Sequence, residues 1–223
     1  MDLAPFPGLR AQKEIAVGLW SKADADSSEQ AIARALGVPH AASLWQIHGA
    51  RAVVVREPTQ RTIQADALAT DVPGLALAIR IADCQPILVH APDARVVALI
   101  HAGWKGLVEG TIASCFAMLR SAWGIAGQDT FVAVGPSLCK ACAEFTDPVR
   151  ELPGIDPQFF DGRLVDLPGI ADAQLCSEGV RPERLERHFD CTRCHPETYW
   201  TYRGGDRDAV KAGSGNAVGC VMK

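Results

Sequence analysis

Apolar residues fall along this chain in two rhythms. Near the N-terminus, Ser27-Ser28-Glu29-Gln30 reads as a capping box, with the Ser27 hydroxyl and the Gln30 amide exchanging hydrogen bonds with first-turn backbone. Ala31, Ile32, Ala35 and Leu36 then recur at helical spacing, and Gly37 marks the stop. Leu44-Trp45-Gln46-Ile47 and Ala52-Val53-Val54-Val55 read as strands flanking a turn at His48-Gly49-Ala50. Residues 75–81, 87–89 and 96–100 are near-continuous apolar runs of strand length, as expected of sheets covered on both faces. Residues 107–123 predict the longest helix, through Leu107, Ile112, Phe116 and Leu119. Phe131-Val132-Ala133-Val134 is another buried strand, closed by Gly135-Pro136. Beyond Cys142 the chain is richer in proline, glycine and charge, and prolines from Pro148 to Pro196 punctuate short elements, among them a helix over 170–177.

Many strands interleaved with few helices, without linker, repeat or low-complexity tract, predict one α/β domain bordering on α+β over residues 1–223, with mixed β-sheets. The 223 residues suffice for a substantial core, and 48% hydrophobic content is ordinary for a globular protein. A net charge of −4 without long charged blocks argues against a nucleic-acid grip or a polybasic membrane anchor, and leaves a small anionic substrate open. The opening Met-Asp-Leu-Ala-Pro-Phe-Pro-Gly-Leu-Arg lacks a basic leader followed by an apolar stretch, and no run is long enough to span a bilayer. Eight cysteines are then expected as reduced thiols in a cytoplasmic protein.

The candidate chemistry lies where apolar runs end. Trp45-Gln46-Ile47-His48-Gly49, Ile81-Ala82-Asp83-Cys84 and Ile100-His101-Ala102-Gly103-Trp104-Lys105-Gly106 each supply one imidazole or thiol at a turn. Two imidazoles and a thiolate suit a catalytic zinc with an open fourth position. The ligands are 36 and 17 residues apart by their numbering, so folding alone would assemble them. Buried structural side chains, or a Cys84 nucleophile activated by His101 or His48, are the alternatives. Asp83 either orients a ligand histidine, takes a proton, or caps a turn. Lys105 adds a positive charge where the glycines and the start of the long helix present free N–H groups to an anion.

Two cysteine patterns point elsewhere. Cys139-x-x-Cys142 and Cys191-x-x-Cys194 invite a zinc-ribbon reading, but the 49-residue interval exceeds the usual 15–20 and counts against it. Cys191-Thr192-Arg193-Cys194-His195 matches a c-type haem attachment motif, which would need export. His40, His90, His188 and His195 sit in no motif, and surface or turn positions are expected for them. Lys211-Ala212-Gly213-Ser214-Gly215-Asn216 is not a P-loop.

The order of the segments is more specific than any one of them. Gln-Ile-His-Gly, Asp66-Ala67-Leu68-Ala69-Thr70, Pro73-Gly74-Leu75, Ala-Asp-Cys-Gln-Pro-Ile-Leu and His-Ala-Gly-Trp-Lys-Gly, followed by Cys142 and Glu144, Val165-Asp166-Leu167, Cys191-Thr192 and Tyr202-Arg203, resemble the YfiH-like family. Its members are variously called polyphenol oxidase or laccase-domain proteins, purine nucleoside phosphorylases and peptidoglycan editing factors. The resemblance implies a layered fold with helices outside stacked sheets, and zinc bound by His48, Cys84 and His101. Asp83 and Lys105 are its implied catalytic positions, and Gln46, Gly103, Glu144 and Arg203 its substrate contacts. It implies phosphorolysis of purine nucleosides or deamination of adenosine, with a small-molecule nucleoside and phosphate as partners. Amide hydrolysis in peptidoglycan precursors and a non-catalytic metal-binding module are the alternatives. Copper oxidation fits least, because six histidines are too few for a multicopper centre. The chain also departs from the family: Lys105 stands for the usual arginine, Ala143 for a tyrosine, Ala171 near an expected asparagine, Arg203-Gly204 for paired arginines, and Gly215-Asn216 for a final Gly-Arg. The opening Arg-Gly-Gly and Asn-Leu-Gly segments are missing around Val17-Gly18-Leu19-Trp20-Ser21-Lys22.

Overall fold

A computed structural model of the chain describes residues 1–2, 5–9 and 12–223. Leu3, Ala4 and Arg10, part of the opening segment read above for an export leader, lie outside the described residues. The strands are β1 (Ile15–Trp20), β2 (His40–Trp45), β3 (Ala52–Val54), β4 (Gln60–Gln64), β5 (Ala67–Thr70), β6 (Leu75–Ile81), β7 (Gln85–Ala91), β8 (Val96–Ala102), β9 (Phe131–Val134), β10 (Phe160–Asp161), β11 (Leu164–Val165), β12 (Leu185–Arg187) and β13 (Asn216–Met222). The α-helices are α1 (Glu29–Ala35), α2 (Trp104–Glu109), α3 (Thr111–Trp123), α4 (Pro148–Glu151), α5 (Leu167–Ser177) and α6 (Arg207–Lys211).

Two mixed sheets stack face to face: β1-β13-β6-β2-β4 and β12-β9-β7-β8-β5-β3, with β10-β11 as a separate hairpin. The two-residue period of strands sorts their side chains between layers. In β6, Leu75, Leu77 and Ile79 enter the core between the sheets, whereas Ala76 and Ala78 turn outward under α1, beside Ile32 and Leu36. In β8, Val97 and Leu99 face the other sheet, and Ala98, Ile100 and Ala102 face Leu107, Ile112, Phe116 and α5. The result is a four-layer α/β/β/α domain, with helices outside stacked mixed sheets as the family resemblance implies. No helix among the described residues is long and apolar enough to cross a membrane.

Several local readings change. The first helix is capped by Ser28, whose hydroxyl accepts from Ala31 N at 3.2 Å, not by Ser27. Asp26 sets this by accepting the Ser28 N–H at 2.8 Å. The helix expected over 107–123 is two helices, because Gly110 adopts φ 81°, a left-handed turn that ends α2 and redirects the chain into α3. The helix at 170–177 begins earlier, at Leu167, under an Asp166 cap with Pro168 in its first turn. His90 is also not at a surface: it is 1% exposed in β7, paired on both sides by β8 and β9.

Candidate metal centre and its cavity

The chain crosses between the sheets at the turns that carry the ligands. β2 and β6 run parallel in the first sheet and end on the same side. The segment after β2 passes to β3 in the second sheet and carries His48; the segment after β6 passes to β7 and carries Cys84. His101 lies near the end of β8, in the second sheet. One ligand atom from each of His48, Cys84 and His101 falls within 4.8 Å of the others, forming a group able to hold a metal ion. The two imidazole rings meet edge to face, 4.8 Å between centroids. Both crossings are bent sharply: His48 has φ 61° and Asp83 φ 87°, values uncommon outside glycine.

Asp66, fully buried, holds this geometry. Its carboxylate accepts backbone N–H bonds from Ile47 (3.2 Å), His48 (2.9 Å) and Gly49 (2.8 Å), over-determining the strained turn. The same carboxylate meets His101 Nδ1 at 2.8 Å, which leaves Nε2 directed to the centre. The sequence reading offered Asp83 as the orienter of a ligand histidine; the structure gives that position to Asp66. The β5–β8 pairing, Ala67 opposite Ile100, places Asp66 beside His101. A carboxylate immediately before a fully buried strand was the available signal.

The charges follow from this packing. Burial raises the Asp66 carboxyl pKa, but the hydrogen bonds from His101 and the turn outweigh it and leave the net pKa lowered. For Cys84, burial opposes ionisation, yet the charge of and hydrogen bonds from His101 and His48 bring the thiol down to about 6. Burial would lower the His101 pKa, but the Cys84 thiolate and Asp66 lift it to about 9. Near neutral pH the metal-free group is therefore a thiolate–imidazolium pair, with its sulfur already in the ligand form.

The group forms the floor of an open cavity of about 830 Å³. Arg61, Arg80, Lys105, Arg193, Arg203 and Arg207 line it against two carboxylates, Asp83 and Glu144, so its field favours an anion. Gly103 is sterically required: a Cβ there would lie 2.9 Å from Cys84 Sγ and 3.2 Å from His48 Cδ2. Gln46 points both ends of its amide at Arg80 backbone, at 2.7 and 2.8 Å, continuing the β2–β6 pairing beyond the strand end. Asp83 accepts the Thr192 hydroxyl and the Arg203 N–H, each at 2.7 Å, and so ties two wall segments together. Glu144 is exposed at the rim, 3.2 Å from Arg163. Arg203 bonds the Glu144 carbonyl and lies over Phe145, which stacks edge to face on Trp104, itself under Lys105. Two aromatic rings thus separate two cations on one wall. Lys105 is exposed, and the helix it opens has only six residues.

Residues 21–222 match the family described as multi-copper polyphenol oxidoreductase laccase. The chain is 30% identical over 158 residues to a purine nucleoside phosphorylase of Bacteroides thetaiotaomicron, covering 66% of this chain and 57% of that protein. It is 29% identical over 165 residues to an adenosine deaminase of an unknown prokaryotic organism, covering 69% and 62% respectively. Both alignments thus span less than two thirds of the relative's length. The crystal structure of YlmD from Geobacillus stearothermophilus superposes with a TM-score of 0.80 at 24% identity, covering 99% of this chain and 93% of that one.

Proposed function

Because this chain belongs to the multi-copper polyphenol oxidoreductase laccase family, whose YfiH-like members share its fold, we propose that it is a zinc-dependent enzyme cleaving purine nucleosides with phosphate. Deamination of adenosine at the same cavity is the related reading, motivated by the similar deaminase. The observation that carries the proposal is the His48, Cys84, His101 group at the floor of a cation-lined cavity of nucleoside size. Two nitrogens and one thiolate suit zinc, and all three residues line the cavity that would admit a substrate. Zinc held there would supply Lewis acidity toward a substrate oxygen or nitrogen.

The chain's own groups divide the remaining work. Asp66 fixes the His101 tautomer, and Gly103 leaves room for the ligands to converge. Lys105 and the arginines of the wall draw phosphate in and hold it beside the sugar, with Arg203 braced on Phe145. Glu144 at the rim offers acceptors to ribose hydroxyls. Asp83 acts as a positioning residue, since its oxygens already receive Thr192 and Arg203. Gln46 shapes the floor through Arg80 rather than by reaching for substrate. A multicopper oxidation is not proposed: among the described residues, one histidine-containing ligand group is present.

Incubation of the purified protein with adenosine, inosine or guanosine and phosphate, followed by chromatography, tests this reading. Free base with ribose-1-phosphate is the expected product pair. Lys105→Ala should raise the apparent KM for phosphate by about tenfold or more, since one lost charge-assisted hydrogen bond is worth roughly 1.5–3 kcal/mol. No turnover of any nucleoside, with release of an amino acid from an amide-linked peptidoglycan precursor, would replace it by the amidase reading.

A further inference from the structure

Four cysteines that the cavity floor does not use meet behind its wall, next in sequence to the lining residues Leu138 and Arg193. Cys139 and Cys142 bracket a single 3-10 turn after β9; Cys191 and Cys194 bracket a turn after β12. Because β9 and β12 are parallel neighbours, both turns leave the second sheet at the same end. The pairing continues past the strands as a parallel bridge from Ser137 to Cys191, with Thr192 N–H donating to Ser137 O at 3.1 Å. All four sulfurs lie within 4.8 Å of one another, 3.5 Å for Cys142–Cys194 and 4.0 Å for Cys139–Cys194. Four thiolates each 2.3 Å from one zinc stand about 3.8 Å apart, whereas a disulfide brings sulfurs to about 2.05 Å. All four are free thiols, and the Cys139 backbone N–H already points at Cys191 Sγ at 3.3 Å. The 49-residue interval that counted against a zinc site is filled by α4, β10, β11, α5 and β12, a layer that leaves and returns to the same sheet edge.

The surrounding chain shows what such a site would hold. Between β12 and α6, residues 188–206 contain neither helix nor strand, a length uncommon for a loop without an anchor. This stretch carries Arg193 and Arg203 into the cavity, and its Thr192 grips Asp83, the neighbour of Cys84. Arg193 also donates to the Cys142 carbonyl at 3.3 Å. We propose that Cys139, Cys142, Cys191 and Cys194 bind a second, structural zinc ion that clamps residues 139–145 to residues 188–206 and so fixes one wall of the cavity. All four positions of the metal are filled by protein, which makes it a staple with no place for substrate.

Zinc-edge X-ray absorption and elemental analysis of the wild-type protein test this without any variant. Two zinc ions per chain are expected, with on average about 2.5 sulfurs each, because one site would have four and the other one. In His48→Ala/Cys84→Ala, the remaining zinc should show four sulfurs at about 2.3 Å. Cys139→Ser and Cys194→Ser should lose that ion, keep the zinc of the cavity floor, unfold at lower temperature and raise KM more than they lower kcat. A wild-type average near one sulfur per zinc overturns the proposal, as does iron in place of zinc. So does a Cys142–Cys194 disulfide, found by peptide mapping of protein purified without oxygen. A failure of the nucleoside assay would leave the zinc count, the sulfur number and the melting temperature unaffected.

Discussion

The floor and the wall of the cavity each gather soft ligands from turns that are distant in sequence, yet they are built for opposite ends. On the floor, nitrogen and sulfur donors converge from two crossings and a strand end, and the space above them is open. Their order comes from outside the trio, through one buried carboxylate that holds a bent turn and a histidine ring together. In the wall, four sulfurs come as two tight turns on adjacent strand ends, and their geometry comes from sheet pairing itself. An open set with a carboxylate behind its histidine suits chemistry; a closed set at the root of a long loop suits stability.

The largest effects should separate the two. Cys84→Ala with His101→Ala would remove the proposed zinc, whose Lewis acidity would be worth several kcal/mol of transition-state stabilisation, so kcat/KM should fall on the order of 1000-fold. The zinc of the wall should survive that variant and be lost in Cys191→Ser, which unstaples the 188–206 loop. Equal activity losses in both variants, with the same zinc lost in each, would erase the distinction.

Asp66→Asn tests what holds the floor. An amide presents one acceptor oxygen where a carboxylate now receives three backbone N–H groups and an imidazole. Metal affinity at the floor should drop by roughly 10–100-fold, the usual cost of losing such a partner. The zinc of the wall should remain. Competition with a graded series of chelators reads both ions in one titration, and parallel loss of both would mean that Asp66 supports the fold rather than the centre.

Gly103→Ala is a smaller perturbation of the same floor. The backbone there has φ −76°, which any residue adopts, so no backbone strain is added. The added Cβ instead presses on Cys84 Sγ and His48 Cδ2. Overpacking of this kind costs about 1–3 kcal/mol, so floor affinity should fall about tenfold while the four-sulfur signature persists.

What the sequence disclosed and withheld follows from the same contrast. Strands buried on both faces carry near-continuous apolar runs, so β6 and β9 were legible to the residue. β13 was not, although it is central and fully buried, because it starts at Asn216 and contains Gly219. Gly219 is there for packing: a Cβ would lie 2.6 Å from Ile32 of α1. The floor trio was legible because each ligand closes its own run. Asp66 was hidden because its role depends on the register between β5 and β8. The wall cluster was discounted because an interval along the chain does not measure distance once two parallel strands bring its ends together.

The finest distinction lies in the thiols themselves, once metal is removed. Cys84 carries a pKa of about 6 because two imidazoles face it. Burial and neighbouring thiols push Cys142 up; the hydrogen bond with Cys142 lowers Cys194, but Cys191, burial and Cys139 outweigh it and leave Cys194 raised. At pH 7 Cys84 should therefore be mostly thiolate, while Cys142 and Cys194 should be protonated. A low pKa also weakens the nucleophile, so the rate advantage of Cys84 over an ordinary thiol should be only two- to threefold, by order of magnitude. The pH midpoint is the sharper measure: iodoacetamide labelling followed by peptide mapping should give about 6 for Cys84 and values above the ordinary thiol range for the other two. The same pair sets a stability window for the metal-free protein. Cys84, depressed on folding, contributes above its unfolded pKa and loses that contribution as pH falls through about 6; His101, raised, contributes below its unfolded pKa and loses it as pH rises through about 9. Thermal unfolding of metal-free protein should show the Cys84 contribution disappear below about pH 6 and the His101 contribution disappear above about pH 9. A Cys84 midpoint near 9 would mean that the imidazoles do not face the sulfur, and would remove the electrostatic half of the contrast between floor and wall.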